Sequence, residues 1–114
     1  MIYREKGSAR SRVSEGITRR EAACGKGCQI IEFILEKGSV IPDHSHPNEQ
    51  VGTVVRGSIV LKMNGKNIAI GAGDGYSIAP GEVHGVDVLE DSLVIDVFAP
   101  PREDYRDTGL KPAI

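Results

Sequence analysis

The three histidines of the chain are candidate metal ligands, and the chain contains no other histidine. His44 and His46 are separated by one residue, and such neighbours in a strand point to the same face. Two imidazoles would then share one space, and Gln50 would bring an oxygen to it after a turn. His84, from a distant strand, would complete a site of three nitrogens and one oxygen. Such a site suits one divalent transition metal (Ni, Fe, Mn, Co, Zn or Cu) and leaves positions for water or substrate.

Either of two neighbouring residues could supply the oxygen ligand of this predicted site. Gln50 would offer a neutral amide oxygen, which is a poorer ligand than a carboxylate and would leave the metal a stronger Lewis acid. Glu49 would offer its carboxylate if the turn ran differently. The identity of the metal also stays open, because histidine-rich sites with one oxygen ligand accept several transition metals.

The last apolar segment and its exit, SLVIDVFAPPREDYRD, carry a second group of chemically able residues. In a strand, Asp96 and Phe98 share one face, and if that face is interior both side chains point towards the metal. Pro100-Pro101 would stiffen the exit in an extended form and fix where Arg102 is presented. An interior carboxylate, an aromatic wall and a guanidinium predict a pocket for a small anionic substrate.

Short β-rich segments separated by glycine and proline are the elements that must position these residues. The 14 Gly and 6 Pro are scattered along the chain, and little of the sequence is typical of helix. Asn64-Gly65 predicts a two-residue type I′ hairpin. The pattern indicates an all-β sandwich or barrel, with strands predicted at 29–36, 51–55, 58–63, 66–70, 75–79, 82–89 and 92–98.

The length of 114 residues fits one domain. We expect residues 1–20 to form an N-terminal arm or edge strand, residues 21–105 the β-barrel, and residues 106–114 a C-terminal tail. Cys24 and Cys28 are spaced one residue too far apart for a CxxC pair, and no second pair accompanies them. They predict free thiols on a mobile loop, with an adventitious metal site or a local disulfide as the alternatives.

Charge and hydropathy disfavour two classes of partner. Lys plus Arg is 14 against 16 Asp plus Glu, a net charge of −2, so no positive field favours nucleic acid or an anionic membrane. No apolar stretch approaches the roughly 18 residues that a membrane helix needs. No apolar segment follows the N-terminal charges as in a secretory signal, so we expect a cytoplasmic location.

The histidines and glycines together resemble the two motifs of the cupin superfamily. The first motif, G-x5-H-x-H-x3-E-x6-G, is matched from Gly38 to Gly57 with glutamine in place of glutamate. The second, G-x5-P-x-G-x2-H, is matched from Gly73 to His84 with alanine in place of proline. The resemblance implies a cupin barrel, which is a double-stranded β-helix or jelly roll, with a metal at the predicted ligands.

Residues 16–105 further resemble the small cupins of the pectin-degradation (KdgF-like) type, which linearise 4,5-unsaturated monouronates released by pectate or alginate lyases. Their first motif and their tail are represented here by HSHPNEQ and DVFAPPRED. Asn48, where such proteins usually carry histidine, and Gly52-Thr53, where a larger pair is common, depart from the pattern. The resemblance implies metal ligation by His44, His46, Gln50 and His84, and a substrate pocket lined by Asp96, Phe98 and Arg102.

The implied reaction opens an enol ether that is conjugated to a carboxylate. Asp96 would transfer a proton to carbon, Arg102 would hold the carboxylate of this small anionic sugar acid, and Phe98 would pack on the sugar. The metal would hold the developing charge as a Lewis acid. An alternative is that Asp96 pairs structurally with Arg102 or with another arginine at the barrel mouth.

Two other functions remain open, because one barrel hosts many chemistries. The chain could be a metal-dependent dioxygenase or other oxidoreductase of a small organic acid, or a non-catalytic sugar-binding protein. Small cupins of the resembling kind commonly dimerise by exchanging an N-terminal strand. We therefore expect a homodimer, with Ile2, Tyr3 and Val13 as the apolar residues of the exchanged arm.

Overall fold

The computed structural model describes residues 1–106, which form ten strands and one short 3-10 turn. No α-helix occurs among these residues, so the all-β prediction is confirmed. The elements are β1 (Ser11–Ser14), β2 (Ile17–Cys24), β3 (Gln29–Leu35), β4 (Val40–His44), β5 (Glu49–Arg56), β6 (Ser58–Met63), β7 (Lys66–Gly71), β8 (Gly75–Ile78), β9 (His84–Val88), β10 (Ser92–Ala99) and the 3-10 turn Glu103–Tyr105. Residues 107–114, which hold most of the predicted C-terminal tail, lie outside the described residues.

Two antiparallel sheets pack face to face around one apolar core. The larger has the order β1-β2-β3-β10-β5-β8, and the smaller has the order β4-β9-β6-β7. Within residues 1–106, no ladder of hydrogen bonds joins the two sheets, so the expected closed barrel is an open sandwich. The reason is that the chain passes between the sheets through bends, which interrupt the ladders.

The predicted strands correspond closely to β3 and to β5 through β10. Asn64 and Gly65 both have positive φ, 54° and 69°, and Met63 pairs with Lys66 across them. The type I′ hairpin is therefore confirmed. The strand predicted at 82–89 begins at His84 instead, because the turn at Gly81 occupies the preceding residues. The prediction missed β4, whose sequence VIPDH contains a proline and lacks a clean alternation.

Alternation along β10 builds the wall of the core. Val94, Asp96 and Phe98 are buried, whereas the residues between them are half-buried. The prediction that Asp96 and Phe98 share the interior face is therefore confirmed. Asp96 pairs with Ile31 of β3 on one side, so its carboxylate lies in an apolar wall.

The N-terminal lead contributes two strands at one edge of the larger sheet. β1 is the edge strand and pairs with β2, which continues from Ile17 to Cys24. Exchange of this arm between two copies stays a prediction. Cys24 and Cys28 are both free thiols at the β2–β3 turn. Among residues 1–106, no helix is long and apolar enough to cross a membrane.

Four glycines with positive φ lie where the chain passes from one sheet to the other, and they are the glycines of the two sequence motifs. They are Gly38 (86°), Gly57 (93°), Gly73 (91°) and Gly81 (77°). At Gly57, between β5 and β6, a Cβ would overlap Ser92 Oγ and would lie 2.5 Å from the carbonyl oxygen of Asp91. The motif glycines are therefore required by the route of the chain rather than by contact with the predicted metal ligands.

We expect Gly57→Ala to lower the free energy of unfolding by about 2–4 kcal/mol, because overlap with Ser92 and Asp91 adds to the strain of positive φ. Gly73→Ala is the matched control, since its φ is similar but a Cβ there would meet nothing within 4 Å. That variant should lose about 1–2 kcal/mol, the strain alone. Urea unfolding compares the two, and equal losses would contradict the steric role of Gly57.

Candidate metal centre and the adjoining cavity

Three imidazoles from separate parts of the chain meet at one end of the sandwich. His44 ends β4 and pairs directly with His84, which begins β9. Their ring centroids are 4.3 Å apart, and the His46 ring lies 5.0 Å from His84 and 5.8 Å from His44. One nitrogen from each ring lies within 4.8 Å of the other two. The structure therefore brings together the three histidines that the spacing predicted.

His44 and His46 do not meet through the alternation of a strand, as the spacing had predicted. The two residues do not share a strand, because β4 ends at His44 and His46 lies in the bend that follows. This bend carries the chain from the smaller sheet to the larger one, where β5 begins. The bend, rather than the alternation of a strand, turns both rings towards the same point.

Backbone carbonyls hold all three rings through Nδ1. A carbonyl oxygen can only accept, so each Nδ1 carries the proton and each Nε2 presents a lone pair. This is the arrangement by which metal-binding imidazoles are usually oriented. The hydrogen bonds run from His44 to Pro42 O (2.9 Å), from His46 to Asn48 O (3.0 Å) and from His84 to Glu82 O (2.8 Å). Burial lowers the pKa of both His46 and His84, which favours their neutral, ligating forms.

The side-chain amide of Gln50 lies between Asp96 and His46, and these two neighbours determine the orientation of its nitrogen and oxygen. Its nitrogen donates to the Asp96 carboxylate, and its Oε1 lies 3.0 Å from His46 Nε2. Since His46 Nδ1 already carries the proton, two electron-pair donors face each other. Burial and then the Arg102 charge lower the pKa of His46, so a second ring proton is disfavoured. A cation shared by both atoms removes this conflict, and the donor set therefore fits a metal ion.

The alternation of side chains along β5 determines which of Gln50 and Glu49 faces the histidines. Gln50 is buried and pairs with Phe98 of β10, on the side that faces the imidazoles. Glu49 is exposed, because it precedes Gln50 by one residue and points to the other face. The structure thus brings Gln50, and not Glu49, to the histidines.

A cavity opens next to the imidazoles between the two sheets. Its empty space is about 570 Å³, counting the part that opens to solvent. The walls are mainly apolar, and the polar or aromatic side chains among them are Phe33, His44, Gln50, Tyr76, His84, Asp96, Phe98, Arg102 and Tyr105. Burial raises the pKa of Asp96 to about 6, although hydrogen bonds from Tyr76 and Gln50 act in the opposite direction. An apolar cavity with few convergent polar groups is typical of a small-molecule site.

Arg102 lies at this cavity but is not the partner of Asp96. Its Nε and Nη2 donate to the two carboxylate oxygens of Asp104, at 3.2 and 2.8 Å. Its guanidinium carbon lies 3.9 Å from the ring centroid of Tyr105 and 5.4 Å from that of Phe98. The alternative of a structural Asp96–Arg102 pair is therefore wrong, because the adjacent 3-10 turn supplies a nearer carboxylate.

The backbone of Arg102 is fixed by a buried amide that the sequence did not single out. Gln29 Oε1 accepts from the Arg102 N–H at 3.0 Å, and Gln29 Nε2 lies 3.3 Å from the Arg102 carbonyl oxygen. The same Nε2 donates to Glu21 Oε2 at 2.6 Å, and both side chains are 1% exposed. Gln29 therefore attaches the segment that carries Arg102 to the larger sheet.

Two tyrosines at the cavity were also absent from the predicted site. Tyr76 lies in a strand that was predicted, and its alternation with buried Ile78 was the available signal. Tyr105 contacts Phe33 and Phe98 at centroid distances of 5.9 and 5.7 Å. No sequence signal for Tyr105 existed, because its position depends on how the 3-10 turn folds back over the cavity.

A family model and a known protein sequence each match more than half of this chain. A family model described as a cupin domain matches residues 31–98. The pectin degradation protein KdgF of Dickeya dadantii (strain 3937) is 30% identical over 95 residues, which cover 82% of this chain and 86% of that protein.

Two solved structures have the same fold. The structure of KdgF from Halomonas sp. is 29% identical with a TM-score of 0.87, covering 93% of this chain and 98% of that one. An RmlC-like cupin from Shewanella frigidimarina NCIMB 400 is 24% identical with a TM-score of 0.87, covering 92% and 95% of the two chains. The jelly-roll fold predicted from the two motifs is therefore confirmed.

We expect Gln50→Ala to weaken the binding of a divalent transition metal by about 10- to 100-fold, because it removes an oxygen donor and the orienting contact to Asp96. Glu49→Ala is the matched control and should bind like the unaltered protein, since Glu49 is exposed. Calorimetric titration of metal-stripped protein with nickel or manganese measures both affinities. A loss in Glu49→Ala with none in Gln50→Ala would make Glu49 the ligand.

Proposed function

Since the chain belongs to the cupin domain family and is related to KdgF, we propose that it is a metal-dependent enzyme of pectin degradation. Its substrates are 4,5-unsaturated monouronates, which it converts to their linear keto forms. The observation that carries the proposal is a buried carboxylic acid, Asp96, linked through Gln50 to three converging imidazoles at a cavity.

The chemistry of the cavity supports a small anionic sugar acid as the substrate. Asp104 occupies the Nε and Nη2 edge of the Arg102 guanidinium, so the edge formed by Nη1 and Nη2 is left for a carboxylate. The rings of Phe98 and Tyr105 flank that guanidinium and offer an apolar surface to a sugar face. An organic acid of monosaccharide size satisfies both features, whereas neither feature suits nucleic acid or a membrane.

The metal bound at His44, His46, Gln50 and His84 would supply Lewis-acid stabilisation of the negative charge that develops on substrate oxygen. The chain itself supplies the orientation of these side chains and the exclusion of bulk water. Arg102 holds the substrate carboxylate, and its own position is fixed by Asp104 and by Gln29. The reacting double bond is thereby presented to the buried end of the cavity.

Asp96 is the group that moves the proton. Ring opening needs one proton delivered to the alkene carbon and one removed from the anomeric hydroxyl as the ring carbon–oxygen bond breaks. A single carboxyl group that gives a proton and later regains one balances this isomerisation. Asp96 is suited to the role by its position, because it is 3% exposed and lies in the cavity wall beside Phe98.

We expect the unaltered protein to remove the ultraviolet absorbance of the conjugated double bond when it is mixed with lyase-generated unsaturated monouronate, without uptake of oxygen. Asp96→Asn should keep its metal and lose at least about 100-fold in kcat, because the amide cannot give a proton. Asp87→Asn is the matched control, since Asp87 makes only a half-exposed ion pair with Lys62. Full activity in Asp96→Asn would refute the role of Asp96, and oxygen uptake would favour an oxidoreductase.

We expect Arg102→Lys to raise KM for the same substrate by about tenfold, with a smaller change in kcat, because an ammonium group cannot pair with Asp104 and present a second edge to a carboxylate. Arg56→Lys is the control, since Arg56 is exposed at the end of β5. Steady-state kinetics on both variants separate KM from kcat. An unchanged KM in Arg102→Lys would show that Arg102 does not hold the substrate.

A further inference from the structure

Three residues form one row across the larger sheet and bring a phenol to the buried carboxylate. Asp96 of β10 pairs with Gly52 of β5, and Gly52 pairs with Tyr76 of β8. Tyr76 and Asp96 are thus separated by a whole strand, yet the Tyr76 hydroxyl donates to Asp96 Oδ1 at 2.6 Å. The tyrosine side chain must cross over the strand between them to make this contact.

The glycine between them makes the contact possible. A Cβ on residue 52 would overlap Asp96 Oδ1 and would lie 2.6 Å from the Tyr76 hydroxyl oxygen. Any other residue would therefore force one of the two oxygens out of its present place. Gly52 is also one of the positions where this chain departs from the pattern of the small cupins that it resembles, so the departure has a structural consequence at the proposed acid.

The Tyr76 hydroxyl keeps its proton and so can always donate a hydrogen bond to Asp96. Burial and the neighbouring Asp96 raise the pKa of Tyr76, so the phenol keeps its proton at any working pH. The phenol is half-buried at the cavity wall and its oxygen is directed at the carboxylate. With Gln50 donating as well, Asp96 is held by hydrogen bonds from two different strands.

We propose that Tyr76 is a positioning residue for the ring-opening reaction, which orients the Asp96 carboxyl group towards the substrate carbon through its hydroxyl; this inference rests on the proposed function. A carboxyl group on a short side chain can rotate about its terminal bond, and proton transfer to carbon needs one of its oxygens close to the acceptor. The hydrogen bond from Tyr76 to Oδ1 restricts that rotation and so fixes where the two carboxyl oxygens lie relative to the substrate.

Tyr76→Phe tests the inference, because it deletes the hydroxyl while the ring still covers Gly52. We expect kcat for the unsaturated monouronate to fall by about 10- to 100-fold, because the Asp96 carboxyl group would no longer be held in the orientation that reaches the substrate carbon. KM and metal content should stay as in the unaltered protein, because Tyr76 is neither the carboxylate clamp nor a predicted ligand. Tyr3→Phe is the matched control: its hydroxyl donates to Cys24 O at 3.1 Å, in another part of the sheet, so its kcat should not change.

The split between kcat and KM separates a positioning role from a structural one. A kcat within twofold of the unaltered protein, an equal fall in Tyr3→Phe, or a change confined to KM or metal content overturns the inference. If Tyr76→Phe melts too early to assay, kinetics at a lower temperature, with the folded fraction measured by circular dichroism, give the same comparison. If the unaltered protein opens no uronate ring at all, the proposed function fails and the inference fails with it. An active protein whose Tyr76→Phe variant is equally active overturns the inference alone.

A double variant shows whether Tyr76 acts through Asp96. Adding Tyr76→Phe to Asp96→Asn should cause no further loss of kcat, because the group that the phenol orients is already disabled. A further loss of tenfold or more would mean that Tyr76 acts on the substrate directly, and this would overturn the positioning role.

Discussion

The candidate metal centre depends on three backbone carbonyls, each of which accepts the Nδ1 proton of one histidine. An imidazole that is free to rotate would form a hydrogen bond with water or with a neighbouring ring. The other two rings would then lose their fixed orientations as well. With Nδ1 committed, each ring has one orientation and one available lone pair, directed at a common point. The carbonyls belong to residues two positions away in the chain, so each local turn sets the direction of its own ring.

From this point a line of polar contacts extends across an otherwise apolar wall. Gln50 contacts His46 with its amide oxygen and Asp96 with its amide nitrogen, and Tyr76 meets Asp96 from the far side. An amide can join a cation site to a carboxylate in this way, because it presents an acceptor and a donor at once. A glutamate at position 50 would place a second negative charge against Asp96. The glutamine in the first motif therefore fits the acid that lies beside it.

The parts of this architecture that follow from local pattern could be predicted from the sequence. Strands β6 and β10 follow alternation, the Asn64-Gly65 hairpin follows from turn chemistry, and the histidines follow from their motif spacing. The partner of Arg102 could not be predicted, because it depends on a 3-10 turn that follows two prolines. Gln29 and Tyr76 were missed for a related reason: each contacts its partner across strands, and a single sequence does not state which strands are neighbours.

Asn48 shows how a departure from a family pattern can have a structural explanation. Resembling proteins usually carry histidine there, which would suggest that a possible ligand is absent. Instead, the Asn48 carbonyl accepts from His46 Nδ1, and the Asn48 side chain donates to the carbonyl of Pro100 at 2.6 Å. One residue thus fixes an imidazole of the candidate metal centre and the start of the segment that presents Arg102. The position of Arg102 relative to the candidate metal centre is therefore set partly through this asparagine.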